Sequence, residues 1–148
     1  MMSLIRHLRP GRTAETVLDI DYGQLRAEGK RAVLFDLDNT LERGRPSTLR
    51  PDTVDFLRHL KDSGLLVGIL SNRRGLSEGR IARLSVAGVP MVLRAGKPRR
   101  AGYLRLMRSL GVSAVEAVFV GDRRVTDVLG ANRVGLDTIL VRSPAFSA

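Results

Sequence analysis

Short apolar runs alternate along the chain with segments of helical periodicity. Each run is bounded by polar or turn-forming residues, so the pattern predicts five β-strands with the third as the weakest. The strands are predicted at Ala32–Phe35, Leu65–Leu70, Pro90–Leu93, Ala117–Val120 and Thr138–Val141. Continuous apolar runs are typical of parallel strands buried on both faces. The chain is therefore predicted to form an α/β fold, a doubly wound Rossmann-like parallel sheet of about five strands.

Helical segments with recognisable ends separate the predicted strands. Pro51 begins a helix in which Val54, Leu57 and Leu60 recur at helical spacing, and Gly64 ends it. Further segments are predicted at about 77–87, from about 99 to 111 with Leu104, Met107 and Leu110 inward, at 113–116 as one turn with a capping box, and at about 126–133. One helix thus follows each of the predicted strands that needs a crossover.

The first part of the chain has a weaker pattern. Residues 1–31 are predicted to form an arm with a short helix, packed through Leu18, Ile20 and Leu25 on a core of residues 32–148. At 148 residues the chain has room for one domain of ordinary size. No apolar run has the length of a membrane span or the form of a signal peptide, so we expect a cytoplasmic protein.

The composition excludes several kinds of catalytic and metal-binding site. There is no cysteine, which excludes disulfides, a thiolate nucleophile and cysteine zinc sites, and the two histidines, His7 and His59, lack metal-ligand spacing. The net charge of +10 favours anionic partners such as phosphates, nucleic acid or lipid headgroups. Nucleic acid is not favoured, because only 4% of residues are aromatic.

Two aspartates separated by one residue follow the first predicted strand. Asp36 and Asp38 stand at its carboxyl end, where ligands bind in open α/β sheets. One carboxylate of such a pair can attack phosphorus while the other transfers protons. Because a carboxylate repels a phosphate dianion, cations are needed nearby. The pair therefore indicates a phosphate-ester substrate, provided that the rest of the chain supplies positive charge.

Polar groups at the ends of the later strands meet this need. Ser71 and Asn72 follow the second strand and can donate hydrogen bonds to a phosphoryl oxygen, while Lys97 after the third supplies a positive charge. Asp122 after the fourth strand, and Asp127 beyond it, add carboxylates for a hard divalent cation. Oxygen-only ligands indicate Mg²⁺.

These elements, in this order and each after a strand, resemble the four motifs of the haloacid dehalogenase superfamily of aspartate-based phosphotransferases. The matching residues are Asp36, Asp38 and Thr40, then Ser71, then Lys97, then Gly121, Asp122 and Asp127. The resemblance implies that Asp36 is the nucleophile and forms an aspartyl-phosphate, with Asp38 as general acid and then base. It also implies that Ser71 and Lys97 hold the phosphoryl group.

The same resemblance implies a metal site. Asp36, the backbone carbonyl of Asp38, and Asp122 would bind Mg²⁺, and Asp127 would support them. All of these groups are oxygen donors, as Mg²⁺ prefers.

Nearly the full length of the chain looks like the YqeG-type phosphatases of subfamily IIIA, from the N-terminal arm through residues 122–133 to Thr138–Val141. That group is similar to a mitochondrial phosphatase of phosphatidylglycerophosphate, so the resemblance implies an anionic phospholipid headgroup as a candidate substrate. Thr40, Asn72 and Arg123 are predicted to contact the substrate. The chain departs from the usual pattern at Arg73 and Arg123, where asparagine and glutamine are expected, so its substrate preference does not follow from the family alone.

Two gaps where superfamily members often insert a cap domain are short here. Residues 40–51 form only a loop, and residues 71–97 have room for one helix and one strand. We therefore expect no sizeable cap and an open site, which suits a bulky substrate or a lid from a neighbouring subunit.

Two other functions remain open from the sequence. One is a basic module bound to RNA or ribosomes, with this fold and little turnover. The other is a phosphatase of a soluble phosphorylated metabolite. With a lipid substrate, the protein would act at the inner face of a membrane through peripheral contact. Leu4, Ile5 and Leu8 among basic residues are candidates for that contact, but the sequence favours their packing on the domain.

Overall fold

A parallel sheet of six strands forms the centre of the protein. The structure, a computed structural model, describes residues 7–44, 49–74 and 88–146. The strands are β1 (Arg12–Ala14), β2 (Ala32–Phe35), β3 (Leu66–Leu70), β4 (Met91–Val92), β5 (Ala117–Gly121) and β6 (Asp137–Val141). They lie in the order β1-β6-β5-β2-β3-β4, and every pairing is parallel. The predicted doubly wound α/β fold is confirmed.

The edge strand β1 was not among the five predicted strands. Its residues are exposed or half-buried, and Arg12 lies beside Ile139 of β6. An edge strand has a partner on only one side and needs no continuous apolar run, so the sequence pattern did not reveal it. Because β1 belongs to the predicted arm but shares the sheet of the core, the division at residue 31 stays a prediction.

Helices cover both faces of the sheet. They are α1 (Tyr22–Ala27), α2 (Pro51–Asp62), α3 (Arg100–Leu110) and α4 (Gly130–Arg133), with a π-helical turn (Arg124–Leu129) leading into α4 and 3₁₀ turns at Val17–Asp19 and Ala114–Glu116. The inward side chains of α1 and α2 pack with Val33 and Phe35 on one face. Those of α3 and α4 pack with Ala32 and Leu34 on the other. Alternate residues of β2 thus reach opposite cores.

Most helix ends lie where they were predicted. Pro51 is the first residue of α2, and Gly64 follows its end with a φ of 102°, which glycine adopts readily. Gly111 caps α3 with a φ of 68°. Ser113 and Glu116 form the predicted capping box. None of the helices in the described ranges is long and apolar enough to cross a bilayer.

Two expectations about packing and one about a helix were wrong. Leu104 is 45% exposed, and Tyr103 and Leu106 face the core instead. The tyrosine is accommodated because its hydroxyl finds carbonyl acceptors inside, which an apolar pattern cannot reveal. Leu18 is 57% exposed, whereas Val17 beside it is buried. The segment expected at 126–133 as one helix begins instead as the π turn.

Some expectations lie outside the described residues. They are the helix at 77–87 and the apolar positions Leu4 and Ile5.

Candidate active site

An open cleft lies at the carboxyl end of the sheet, above β2, β3 and β5 and beside the loop after β4. It is lined by Asp36, Asp38, Asn39, Ser71, Asn72, Arg73, Lys97, Arg123, Thr126 and Asp127. Parallel strands bring their carboxyl ends to one edge, which is why residues from four separate segments of the chain meet there. The structure thus brings nearly all of the predicted site residues into one cleft; Thr40 and Asp122 lie beside it.

A buried lysine joins two carboxylates at the floor of the cleft. The Lys97 Nζ lies 2.8 Å from Asp36 Oδ1 and 2.7 Å from Asp127 Oδ1. It also lies 5.6 Å from the centre of the Phe119 ring, a favourable position for a cation. All three ionic side chains are nearly inaccessible to solvent. Lys97 therefore places a fixed positive charge against the predicted nucleophile.

The backbone of Lys97 is held by Asn72. The Asn72 Oδ1 accepts a hydrogen bond from the Lys97 N–H at 2.8 Å, and the Asn72 Nδ2 donates to the Lys97 carbonyl at 3.2 Å. Because both ends of the amide are engaged in this way, the geometry favours a positioning role for Asn72 over the predicted contact with substrate.

Three features of the structure position Asp127, and one of them, the Tyr103 hydroxyl, was not predicted from the sequence. Its Oδ2 accepts from the N–H groups of Asp122 and Arg123 at 3.1 Å. Gly121 makes room for it, because a Cβ there would lie 2.5 Å from the carboxylate. The Tyr103 hydroxyl donates to the carbonyls of Thr126 and Asp127. No sequence motif marked Tyr103, since it stands within the apolar pattern of α3.

Thr40 lies beneath the cleft, fully buried. Its Oγ1 is 3.0 Å from Asp36 Oδ2 and 3.3 Å from Asp122 Oδ1. Because its hydroxyl faces these two carboxylates, the geometry favours a positioning role for Thr40 over the predicted contact with substrate. Thr40 instead links the carboxylates of Asp36 and Asp122.

Three carboxylates lie close enough to share a cation. Single oxygens of Asp36, Asp122 and Asp127 all fall within 4.8 Å of one another. Within the described ranges, one ammonium, that of Lys97, pairs with this group. Three ionised carboxylates would leave excess negative charge, and a divalent cation with a preference for oxygen would neutralise it. The donor set therefore fits Mg²⁺, with Asp127 already engaged by Lys97 and by backbone amides.

The pKa values of these groups reflect burial first and the neighbouring charges second. Burial raises the pKa of Asp36 to about 6, although the Lys97 ammonium opposes the shift. Burial also raises the pKa values of Asp122 and Asp127, and the Asp36 charge adds to the effect on Asp127. Burial alone would lower the pKa of Lys97, but the carboxylates of Asp36 and Asp127 outweigh it and raise the pKa.

The second aspartate of the pair stands at the mouth of the cleft. Asp38 is half-buried, and its Oδ2 lies 3.7 Å from the Arg73 Nε. The Ser71 Oγ accepts from the Arg73 N–H at 3.2 Å, which leaves the hydrogen of the Ser71 hydroxyl for an acceptor in the cleft. Arg123 is exposed at the opposite rim. Both positions that depart from the family pattern thus line the cleft.

The loop after the nucleophile is braced by a distant segment. The Phe146 N–H donates to the Leu41 carbonyl at 3.0 Å, and the Phe146 carbonyl accepts from the Arg43 N–H at 3.0 Å. Glu42 between them is fully buried and accepts from the Thr53 hydroxyl at 2.6 Å. Residues 36–44 are therefore held by α2 and by the segment that follows β6.

Comparison with known proteins identifies the family. A family model described as haloacid dehalogenase-like hydrolase matches residues 14–135. The chain belongs to the haloacid dehalogenase-like hydrolases. The cleft described above therefore belongs to a hydrolase, and the resemblance inferred from the four motifs is confirmed.

Curated relatives of this hydrolase carry phosphatase names. It is 33% identical over 140 residues to the probable phosphatase YqeG of Bacillus subtilis (strain 168), which covers 93% of this chain and 79% of YqeG. It is 31% identical over 140 residues to phosphatidylglycerophosphate phosphatase 1, chloroplastic, of Chlamydomonas reinhardtii, covering 90% of this chain and 52% of that relative. The chain thus spans about half of that relative's length. The prediction of an enzyme of the phosphatase type is confirmed by these matches.

A solved structure shows the same fold. The 3-deoxy-D-manno-octulosonate 8-phosphate phosphatase from Yersinia pestis superimposes with a TM-score of 0.59 at 20% identity, covering 77% of this hydrolase and 65% of that chain. At this identity the likeness concerns the fold alone.

Proposed function

We propose that this hydrolase is a Mg²⁺-dependent phosphomonoesterase in which Asp36 attacks phosphorus and forms an aspartyl-phosphate. The observation that carries the proposal is the contact of 2.8 Å between Asp36 Oδ1 and Lys97 Nζ at the end of the central strand β2. The ammonium offsets the repulsion between a carboxylate nucleophile and an anionic ester. Its burial keeps this attraction from being screened by water.

The other residues have separate tasks in the proposed reaction. Asp38 protonates the leaving-group oxygen as the ester bond breaks, and then removes a proton from the water that attacks the aspartyl-phosphate. Inorganic phosphate leaves and the Asp36 carboxylate is restored. The Ser71 hydroxyl and the Lys97 ammonium hold the phosphoryl oxygens throughout.

Asp36, the Asp38 carbonyl and Asp122 are the proposed Mg²⁺ ligands. When bound, the ion supplies positive charge to the phosphoryl oxygens as charge develops on them. Thr40 keeps two of these carboxylates together through its hydroxyl.

The proposed substrate is a phospholipid headgroup of the phosphatidylglycerophosphate type. Its support is the similarity to the phosphatidylglycerophosphate phosphatase of Chlamydomonas and the open cleft formed by the described residues. Arg73 and Arg123 at the rim would meet a second anionic group of such a substrate, a phosphodiester, in addition to the terminal phosphate.

The test is phosphate release from p-nitrophenyl phosphate, phosphatidylglycerophosphate and a panel of soluble sugar phosphates, with Mg²⁺ or excess chelator. We expect Mg²⁺-dependent turnover in the wild type, none with Asp36→Asn although that variant remains folded, and a weaker Mg²⁺ response with Asp122→Ala. Full turnover by Asp36→Asn would exclude the mechanism. Preference for a sugar phosphate would favour a soluble metabolite, and folded but inactive wild type would favour a binding module.

A further inference from the structure

The two helical layers differ in charge. The exposed residues of α2 include Asp52, Asp55 and Asp62, whereas α3 contains no acidic residue. The sequence has no Asp or Glu between Glu78 and Glu116. The same stretch carries the basic residues Arg80, Arg83, Arg94, Lys97, Arg99, Arg100, Arg105 and Arg108. Among the described residues, α3 therefore presents arginines with no acidic residue of its own, whereas α2 presents charges of both signs.

The outer face of α3 is rich in arginine and includes an exposed leucine. Arg100, Leu104, Arg105 and Arg108 follow each other at helical spacing, and all four are exposed. None of the three arginines forms an ion pair with a carboxylate of residues 7–44, 49–74 or 88–146. Their mutual repulsion destabilises the isolated face, and an anionic surface would relieve it.

Two of the large apolar side chains exposed on the described surface belong to this region. Leu104 is 45% exposed, and Val125 in the π turn is 58% exposed. The Tyr103 hydroxyl, 2.6 Å from the Thr126 carbonyl, joins the first turn of α3 to the π turn. Apolar side chains set among arginines on a helix are typical of segments that lie in a membrane interface, where the chains enter the acyl boundary and the arginines meet phosphates.

This surface adjoins the cleft. α3 begins just after Lys97, and the π turn begins just after Arg123, both of which line the cleft. A helix lying along a flat surface would therefore hold the mouth of the cleft at the edge of the contact, within reach of a headgroup.

We propose that the outer face of α3, with Val125, is a docking surface for a bilayer rich in anionic phospholipid. The benefit to turnover rests on the proposed lipid-headgroup function, but the docking itself does not depend on catalysis. RNA fits this face less well, because single-stranded nucleic acid is held by exposed aromatic rings, and Tyr103, the aromatic residue of α3, is buried.

The test is co-sedimentation of the protein with vesicles of phosphatidylglycerol and phosphatidylcholine, or of phosphatidylcholine alone. Each arginine near an anionic surface contributes about a fivefold change in partition, so Arg105→Gln with Arg108→Gln should lower binding roughly 25-fold. The matched control is Arg26→Gln with Arg58→Gln, which removes the same charge from exposed positions on α1 and α2. We expect the control to bind nearly as well as the wild type.

A second pair of variants tests the apolar contribution. Leu104→Ser with Val125→Ser should lower binding about tenfold. The control is Leu18→Ser with Val115→Ser, which are 57% and 75% exposed but lie elsewhere on the surface. All four double variants should hydrolyse p-nitrophenyl phosphate as the wild type does, because none of the positions lies in the cleft.

The outcomes separate this proposal from the enzymatic one. Equal loss of binding in the test and control pairs would overturn the docking surface, as would binding to RNA in preference to vesicles. Vesicle binding that persists in Asp36→Asn, or in an inactive wild type, would support the surface even if the proposed reaction were wrong. Lipid hydrolysis without vesicle binding would support the proposed reaction and exclude the proposed docking surface.

Discussion

At the scale of single residues, a substitution at Thr40 distinguishes an effect on catalysis from an effect on stability alone. Replacing Thr40 with valine keeps its shape but removes the hydrogen bonds to Asp36 and Asp122. We expect kcat to fall about 10- to 100-fold, with a loss of about 1–2 kcal/mol in the free energy of unfolding. Steady-state kinetics and urea denaturation measure the two effects.

Thr138→Val is the matched control for Thr40→Val. Thr138 is also buried and hydrogen-bonded, to Gly11 and Asn132, but it lies at the other end of the sheet. It should lose comparable stability and retain wild-type kcat. Equal loss of kcat in the two variants would mean that Thr40 acts on the fold alone.

The residues at the strand ends could be predicted, but their individual contacts could not. Asp36, Lys97 and Asp127 were assigned to one site because parallel strands end at one edge. The engagement of Asn72 with the Lys97 backbone depends on distances between segments far apart in the chain. No local pattern encodes such distances, and the support from Tyr103 was missed for the same reason.

At the scale of secondary structure elements, the end of β5 and the π turn are packed against each other. A Cβ at Gly121 would lie 2.5 Å from the Asp127 carboxylate. We expect Gly121→Ala to displace Asp127 from Lys97, lowering activity at least 100-fold and stability by about 1–3 kcal/mol.

The control for Gly121→Ala is Gly68→Ala in the neighbouring strand β3. A Cβ there would meet Leu106 at 2.9 Å, so the core is overpacked but the cleft is untouched. Activity assays and thermal denaturation of both variants should show similar destabilisation and a loss of activity confined to Gly121→Ala. Normal activity of Gly121→Ala would contradict the proposed support of Asp127.

The turn before β5 should give a pH-dependent contribution to stability. Hydrogen bonds from Ser113 and the nearby Arg31 lower the pKa of Glu116 from 4.5 to about 2. Because the folded pKa is depressed, the stabilisation is complete above the unfolded value and is lost as the pH falls from 4.5 towards 2.

The variant Glu116→Gln should reveal this contribution. Its thermal midpoint should be lower than that of the wild type at pH 7, and the difference should disappear as the pH approaches 2. Thermal denaturation between pH 7 and 2.5 measures it. A difference that did not change with pH would mean that the charge of Glu116 is unimportant.

The elements differ in how well the sequence predicted them. Strands β2, β3, β5 and β6 were evident because burial on both faces requires uninterrupted apolar runs. The pattern gave no sign of β1 because a short edge strand can be polar. The π turn has no signature in apolar periodicity, since it differs from an α-helix by a single extra residue in one turn.

At the scale of the whole molecule, the loop after the nucleophile depends on residues near position 146. Deleting residues 145–148 removes the backbone hydrogen bonds of Phe146 to Leu41 and Arg43, as well as its ring contact with Phe56. We expect lower thermal stability and at least a tenfold fall in kcat, because the carboxylate of Asp38 would lose its fixed position.

Phe146→Ala is the comparison, since it removes the ring and keeps the backbone pairing. The thermal stability of this variant should fall, but its kcat should fall less than threefold, as measured by the same assays. If the deletion were as active as Phe146→Ala, bracing by the backbone would be unimportant.

The position of β6 between β1 and β5 has a consequence for synthesis on the ribosome. β1 emerges first, but its partner β6 is made last of the described strands. At about 5–20 residues per second, β1 waits on the order of ten seconds for that partner. β5 is made shortly before β6, so at the end of this interval its edge is unpaired as well, and the nascent chain then carries two open strand edges until β6 enters between them. Chaperone binding to the nascent chain would have its largest effect in that window.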